Sequence, residues 1–555
     1  MAHIITRPCC NDASCVAVCP VNCIHPTPDE PEFLTAEMLY IDPETCIDCG
    51  ACIDECPVDA IVPDDQLEES DEPYLQINAD YYKDHDVDGG LVKHPKAPKL
   101  PDGEELDVAI VGAGQAAFYA AEELVKKRQV KVHMFDRLPT PYGLVRAGVA
   151  PDHAKTKGVE STFAAVEKKA NFTYHLNVEV GVHITVNELR ERFGAVLYAG
   201  GAAHDRRLGI DGEDLPGSIA ATDFVAWYNG HPDHADRTFD LSSERVVIIG
   251  NGNVALDVAR ILVTDPDVLA RTDIADHALD ALRQSAVREV VVMARRGIEH
   301  GAFTNSEFLS LTELDGVDVV MPDELVLSAE AAAAEADDSI DSVMGTKIRL
   351  AREFAAEAVG DAERRIVFEF LTSPTAIVGD NDGVAKIQYV RNRYVDGSSI
   401  EPTDETGELD AGTVVRSVGY RGQAVDGLPF DDQRAVVPSD DARVLDRPDG
   451  DRIPGLFVAG WIRRGPTGGI GRNRYCGEEA AKAVLADFAN GELPSPTVSA
   501  DGLEELLTSR GANRVDRAGW KAIDAVEKAA GKAVGRRRIK LVSLAELERA
   551  AGEGA

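Results

Sequence analysis

A chain of 555 residues, 44% apolar and with a formal charge of −39, is long enough for roughly three or four domains and has apolar residues to fill their cores. The acidic balance opposes nucleic acid and anionic membrane as partners, and no apolar run approaches the ~18 residues of a membrane span. Met1 to Cys10 lacks the form of a signal peptide, so the expected compartment is the cytoplasm.

Nine of the ten cysteines fall between Cys9 and Cys56, a clustering that predicts a metal centre rather than disulfides. Cys46-x2-Cys49-x2-Cys52-x3-Cys56-Pro57 has the spacing of a bacterial cubane iron–sulfur site. The cysteine before proline is directed to a second cluster. Cys9-x2-Asp12-x2-Cys15-x3-Cys19-Pro20 repeats this register with Asp12 where the second ligand belongs. Crossing the last ligands predicts a [4Fe-4S] cluster on Cys19, Cys46, Cys49 and Cys52, and a second cluster on Cys9, Cys15 and Cys56. With three thiolates the second site is expected to hold [3Fe-4S], with an Asp12-ligated [4Fe-4S] as the alternative. Zinc suits four-cysteine sites but not two interlocked sets. Cys10 and Cys23 stand outside the register. Residues 1–83 resemble the seven-iron bacterial ferredoxins, which implies an α+β ferredoxin-like domain. The acidic run 64–72 reads as a solvated loop or a docking site for a basic partner. Residues 84–105, rich in Asp, Gly, Pro and Lys, read as a linker.

The apolar run 107–111 reads as a buried parallel strand, and Gly112-Ala113-Gly114-Gln115-Ala116-Ala117 opens a helix directly after it. Gly112 permits the tight turn, Gly114 lets the backbone approach a pyrophosphate, and the small Ala117 lets helix and strand pack closely. A second strand, 130–135, ends in Asp136, a carboxylate placed to accept from a ribose hydroxyl. The loop from Leu138 to His153 is too rich in Gly and Pro for regular structure, and a long loop in such a unit is usually functional.

The pattern recurs at 245–249 with Gly250-Asn251-Gly252-Asn253-Val254-Ala255-Leu256-Asp257. The strand expected at 289–294 ends in Arg295-Arg296 instead of an acid, and guanidinium groups suit the 2′-phosphate of NADP. Residues 262–286 read as an inserted helical excursion, with strands at 365–371 and 387–393. The chain is expected to return to the first domain at 414–420. Cys476 stands alone and is expected to be inert. The tail beyond Leu503 reads as helices bearing a basic patch, Arg536-Arg537-Arg538, suited to docking an acidic ferredoxin.

Together with Leu456–Gly471, these segments resemble the adrenodoxin-reductase class of ferredoxin–NADP reductases over about residues 106–550. The resemblance implies an α/β flavoprotein with two Rossmann-like domains: 106–203 and 411–490 for FAD, 204–410 for NADP, and a helical extension at 491–555. It implies FAD against Gly112, Gly114, Ala117, Asp136, Leu144, Val180, Trp461, Gly468, Gly469 and Ile470. It implies NADP against Arg206, Asn251, Gly252, Asn253, Val254, Arg295, Arg296, Glu307 and Gly468, with His153 and Asp257 as candidate catalytic groups. Asp136 departs from the usual glutamate, and Ser310 stands where some relatives carry an acid. The whole resembles fused ferredoxin/ferredoxin–NADP reductases. Electrons are then expected to pass from NADPH through FAD to the chain's own clusters, to an external ferredoxin, or to a downstream acceptor such as a cytochrome P450, in either direction. The alternatives are an electron-input protein of the glutamate-synthase small-subunit type, or a non-catalytic electron-transfer module. A disulfide reductase is disfavoured because no cysteine lies between Cys56 and Cys476.

Overall fold

The computed structural model describes residues 2–85, 100–322, 324–337, 339–356, 360–380, 382–499 and 501–552. The N-terminal module is built twice over. Helices Ser14–Val18 and Ala51–Glu55 each start from a left-handed residue, Ala13 at φ 60° and Gly50 at φ 73°. Each ends on a cysteine, Cys19 or Cys56, whose N–H closes the last turn. Two antiparallel pairs flank them, His3–Ile5 with Ile61–Pro63 and Ile24–His25 with Tyr40–Ile41. Helix Pro73–Asp84 ties the two pairs together through the buried Asn78. Its amide donates to the carbonyls of Ile5 and Tyr74, and its oxygen accepts from the N–H groups of Ile41 and Ile5. This helix runs one residue past the expected domain end at 83, and most of the expected linker, 86–99, lies outside the described residues.

Strand Leu106–Val111 is apolar throughout its buried length because helices cover both faces of its sheet. That sheet has seven strands in the order Ser439–Asp440, Arg443–Leu445, Arg452–Val458, Ala195–Tyr198, Leu106–Val111, Val130–Asp136, Phe172–Leu176, parallel from Arg452–Val458 onward. A second sheet of six parallel strands runs Ser218–Ala220, Thr413–Arg416, Arg245–Ile249, Glu289–Met293, Arg364–Glu369, Val317–Val320. Strands Thr372–Asp380, Gly383–Asp396 and Ser399–Asp410 form a separate antiparallel sheet. Strand Thr413–Arg416 pairs with Arg245–Ile249, so the chain leaves the second sheet only after Arg416, later than the boundary expected at 411. The excursion 262–286 is helical at Pro266–Leu269 and Asp276–Arg283.

Helix Ile470–Asn490 lies against helix Gln115–Val125, and Gly477 makes the approach possible, since a Cβ there would stand 2.4 Å from the carbonyl oxygen of Ala116. One connected apolar cluster runs from Ile4, Ile41 and Val58 of the N-terminal module to Phe118, Phe163, Trp227 and Phe308. The tail folds back as Leu503–Ser509, Arg517–Ala533 and Leu544–Gly552, and Val515 exchanges two backbone hydrogen bonds with Leu176 at the edge of the first sheet. The expected docking patch is not free. Arg536 pairs with Asp276, Arg537 with Glu160, and the buried Arg538 with Asp524 and Glu527. Arg536 and the exposed Arg537 bind the tail to the rest of the fold, while burial obliges Arg538 to find carboxylates within the tail as well as Glu160. Among the described residues no helix is long and apolar enough to cross a membrane.

Candidate functional site

Both glycine turns have the same local geometry. Gly112 at φ +105° and Gly250 at φ +109° sit where a Cβ would strike the carbonyl oxygen of Ala199 at 2.5 Å or of Ser417 at 2.2 Å, so the turn admits no side chain. The next glycines differ: a Cβ on Gly114, Gly252 or Gly469 would meet nothing within 4 Å. These three face open space at the start of a helix, which is the cradle a pyrophosphate needs. Asp136 accepts from the N–H of Ala113 at 2.7 Å and of Leu138 at 2.9 Å, and burial raises its pKa. Ala117 is fully buried behind the turn, Leu144 opens helix Leu144–Ala147, and Val180 bridges to Ile184 at the edge of the apolar cluster under the first sheet.

The indole N–H of Trp461 donates to Gly468 O at 3.3 Å, and the ring lies against Tyr420 at 5.1 Å between centroids. Gly468 and Gly469 are exposed, and Ile470 starts the long helix. Sequence reasoning missed two neighbours of this segment. Arg464 and Arg472 each keep a buried Nε without a partner and pair with no carboxylate among the described residues. Burial lowers Arg464 to about 10. Arg464 donates to Asn473 Oδ1 at 3.0 Å, but half-buried guanidinium groups with no carboxylate among the described residues, set beside a glycine segment, suit an anionic group, and their signal was the pair of arginines bracketing that segment. Cys476 is not a bystander either, since its Sγ accepts from Gly460 N–H at 3.1 Å.

In the second half, Asn253 Oδ1 accepts from Thr304 N–H at 2.8 Å, which joins the fingerprint helix Asn253–Val263 to the cap of helix Asn305–Leu309. Asn251 and Val254 flank Gly252 at that helix start and are half-buried. Arg295 and Arg296 are exposed beyond strand Glu289–Met293 and form no ion pair among the described residues. Arg206 is also exposed, held by an Nε bond to Tyr420 O at 3.2 Å. A polar cleft lined by Ser243, Arg245, Arg288, Glu289 and Arg365 opens at the opposite, N-terminal edge of this sheet, away from both glycine turns.

The two halves and the N-terminal module meet at His153. Its Nε2 lies 2.8 Å from Arg7 Nη2 and 2.7 Å from Arg260 Nη2. Only a lone pair can meet two guanidinium donors, so the ring proton sits on Nδ1. Around it, Arg260 binds Asp152 at 2.5 Å and Asp257 at 2.7 Å, while Glu307 receives both Arg7 and Arg260 at 3.3 Å. His153, Asp257 and Glu307 have the residue types of a metal site, but two guanidinium groups already supply the cations. Burial raises the pKa of Asp257, whereas Asp152 is held well below the usual carboxylate range by Arg260 against a desolvation penalty. Glu307 is lowered too, again against desolvation, by the guanidinium groups of Arg260 and Arg7. Ser310 is buried and donates to the carbonyl oxygen of Glu307 at 2.8 Å.

In the N-terminal module, Cys19, Cys46, Cys49 and Cys52 line one pocket together with Cys23. Cys19 is lowered to about 5 by the hydrogen bond it shares with Cys23, at 3.4 Å between sulfurs. Burial pushes Cys52 and Cys9 up to about 12, raises Cys56 and drives Cys15 well above its ordinary value. Cys9, Cys15 and Cys56 stand close enough that a charge on Cys9 or Cys56 raises Cys15 further. Such thiols become thiolates when a cation shares the site, and all-sulfur donor sets select iron–sulfur clusters or soft metals. Both sets are cysteine sulfurs of the kind an iron–sulfur cluster takes.

Comparison with known proteins agrees with this architecture. Residues 106–307 match the family model of pyridine nucleotide-disulphide oxidoreductases, and residues 39–62 match that of a 4Fe-4S binding domain. The probable ferredoxin/ferredoxin–NADP reductase of Mycobacterium tuberculosis is 49% identical, over 99% of this chain and 95% of that protein. The chain belongs to the ferredoxin/ferredoxin–NADP reductase family. NADPH-ferredoxin reductase FprA of M. tuberculosis is 47% identical over 80% of this chain and 98% of its own. The structure of FprA in complex with NADPH superposes with a TM-score of 0.75 at 46% identity, covering 81% of this chain and 100% of that one. The segment matching the disulphide family contains no cysteine, so this ferredoxin/ferredoxin–NADP reductase shares the family's dinucleotide-binding fold and not its thiol chemistry. Likeness along the whole chain sets aside the glutamate-synthase alternative.

Proposed function

We propose that the protein oxidises NADPH and passes the electrons one at a time to its own iron–sulfur module or to an external ferredoxin. FAD, when bound, supplies the step between a two-electron hydride donor and one-electron clusters. The observation that carries this reading is the seating of Arg7, from the iron–sulfur module, 2.8 Å from His153 at the centre of the reductase.

Gly112, Gly114, Ala117, Asp136, Leu144 and Val180 hold the FAD nucleotide, and Trp461 with Gly468, Gly469 and Ile470 backs its ring. Asn251, Gly252, Asn253 and Val254 receive the NADP pyrophosphate, Arg206, Arg295 and Arg296 receive the 2′-phosphate, and Glu307 and Gly468 border the nicotinamide. Arg464 and Arg472 offset negative charge that develops on reduction. His153 holds a proton at Nδ1, and Asp257 and Arg260 fix its ring. Cys19, Cys46, Cys49 and Cys52 hold [4Fe-4S], and Cys9, Cys15 and Cys56 hold [3Fe-4S].

Anaerobic NADPH titration followed by optical and EPR spectra tests the reading. Flavin bleaching with loss of a [3Fe-4S] signal present as isolated supports it. Flavin reduction with iron-replete clusters left oxidised makes an external protein the acceptor.

A further inference from the structure

The iron–sulfur module touches the flavin half through the surroundings of its three-cysteine site. Gly471 N–H donates to Cys10 O at 2.7 Å, and a Cβ on Gly471 would stand 1.7 Å from Asn11 O. One turn further along the same helix, Arg474 donates to Asp12 Oδ2 at 2.9 Å and to Ser14 Oγ at 2.5 Å. Glu478 steadies that guanidinium at 2.9 Å, and it lies 5.5 Å from the centre of the Tyr119 ring. From the other repeat, Pro57 O approaches Gly158 so closely that a Cβ there would stand at 2.8 Å. Each of these contacts lies beside Cys9, Cys15 or Cys56. The four-cysteine turn faces away: Cys49 and Ile47 are exposed, and among the described residues no hydrogen bond or ion pair joins 42–55 to the reductase.

Asp12 occupies the register position of the missing cysteine, and both its oxygens are engaged. Oδ2 accepts from Arg474 and from Ser14 Oγ at 2.6 Å, and Oδ1 accepts from Ser14 N–H at 3.3 Å. It is buried, so removing its cation would strand a carboxylate away from water.

We infer that Asp12 is a docking residue and not an iron ligand, and that its contact with Arg474 makes the three-cysteine site the port by which the module receives electrons, the four-cysteine site being the outward relay. This rests on the function proposed above. Each NADPH oxidised to NADP⁺ releases one proton to solvent and sends two electrons in succession through the three-cysteine and then the four-cysteine site, reducing two equivalents of a one-electron acceptor protein. No bond forms or breaks in the module. Replacement of a ligand by Asp12 then serves two ends at once: it leaves a three-thiolate site and provides the anion that seats this site on helix Ile470–Asn490.

The test uses the full-length holoprotein with Arg474→Glu, Arg474→Lys and Asp12→Asn, read by iron content, freeze-quench EPR after NADPH, and amide exchange at Gly471 and Ser14. Arg474→Glu is expected to keep its iron and its rate of flavin bleaching. Loss of the three-iron signal should slow about tenfold or more, because small misplacements of reacting partners cost that much or more, and the Gly471 amide should lose protection. Arg474→Lys should recover most of the transfer rate, and Asp12→Asn should retain full iron. Wild-type transfer in Arg474→Glu overturns the docking assignment, and iron loss in Asp12→Asn makes Asp12 a ligand. Wild-type protein whose flavin NADPH does not bleach refutes the functional reading instead, while the iron and exchange results still decide the role of Asp12.

Discussion

Arg7 Nη2 and His153 Nε2 lie 2.8 Å apart although 146 residues separate them in the chain, and the bond joins the iron–sulfur module to the reductase within the charged cluster of Asp152, Asp257, Arg260 and Glu307. Arg7 also pairs with Glu307 and Glu313. Arg7→Ala is expected to leave those carboxylates with fewer cations and His153 with Arg260 alone. The cost should be about 1–3 kcal/mol, the range for losing a charged hydrogen-bond partner in a part-buried setting. Thermal unfolding measures it, and stopped-flow bleaching of the flavin by NADPH should slow in the same variant. Unchanged values for both would remove Arg7 from the working site.

Lys540 and Lys157 share Asp273 in the interior, at 3.2 and 2.6 Å. Burial pulls Lys540 down to about 7 from 10.5. Across that window the unfolded chain keeps a proton that the folded chain has released, so stability rises with pH between about 7 and 10.5. Lys540→Met should abolish this slope, which is at most about 1.4 kcal/mol per pH unit. Urea midpoints of both proteins at neutral and alkaline pH measure the difference. Parallel pH dependences would show that Lys540 titrates normally.

Arg295 and Arg296 are exposed and have no carboxylate partners among the described residues, which leaves both free for the phosphate proposed to bind them. The double change to Ala is expected to raise the KM for NADPH about 10- to 100-fold while leaving that for NADH within about twofold, since charge-assisted hydrogen bonds are worth about 1–3 kcal/mol. Equal losses with the two nucleotides would mean that the pair supports the fold and does not select the cofactor.

What the sequence made legible was local. Cysteine spacing, two strand–glycine–helix turns and the arginines after Met293 each lie within a few tens of residues, where backbone geometry links residue type directly to position. Contacts made across the fold were not legible. Nothing near Arg7 or Asp12 marks His153 or Arg474 as their partners, the latter 462 residues away. Arg538 failed as a surface expectation for the same reason: a run of cations reads alike whether water or buried carboxylates such as Glu527 surround its members. Strand Thr413–Arg416 was assigned to the wrong side of the domain boundary because an apolar strand does not announce which of two parallel sheets it joins.

The cysteine environments predict what iron removal does. With Cys9 and Cys52 pushed up to about 12, the metal-free module keeps neutral thiols at these two positions and loses the binding energy that holds its two repeats together. Chelation under reducing conditions should release amide protection across residues 2–84 while strands Leu106–Val111 and Arg245–Ile249 stay protected. Uniform loss along the chain would instead make the module and the reductase one cooperative unit, as their continuous apolar cluster permits.

Gly112 and Gly114 separate folding from binding within one turn. A Cβ on Gly112 would stand 2.5 Å from Ala199 O, at a φ of +105° that L-residues avoid, so Gly112→Ala is expected to destabilise the protein by about 1–3 kcal/mol. A Cβ on Gly114 would meet nothing within 4 Å, so the same change there should leave the thermal midpoint of flavin-free protein within a degree or two of wild type. If a pyrophosphate occupies that space, Gly114→Ala must still weaken FAD, because the methyl group stands where the backbone approaches the phosphate. Flavin absorbance per chain after purification, set beside unfolding of the stripped protein, reads the two effects separately. Full flavin content in Gly114→Ala would place the dinucleotide elsewhere and remove the basis for assigning Asp136 to its ribose.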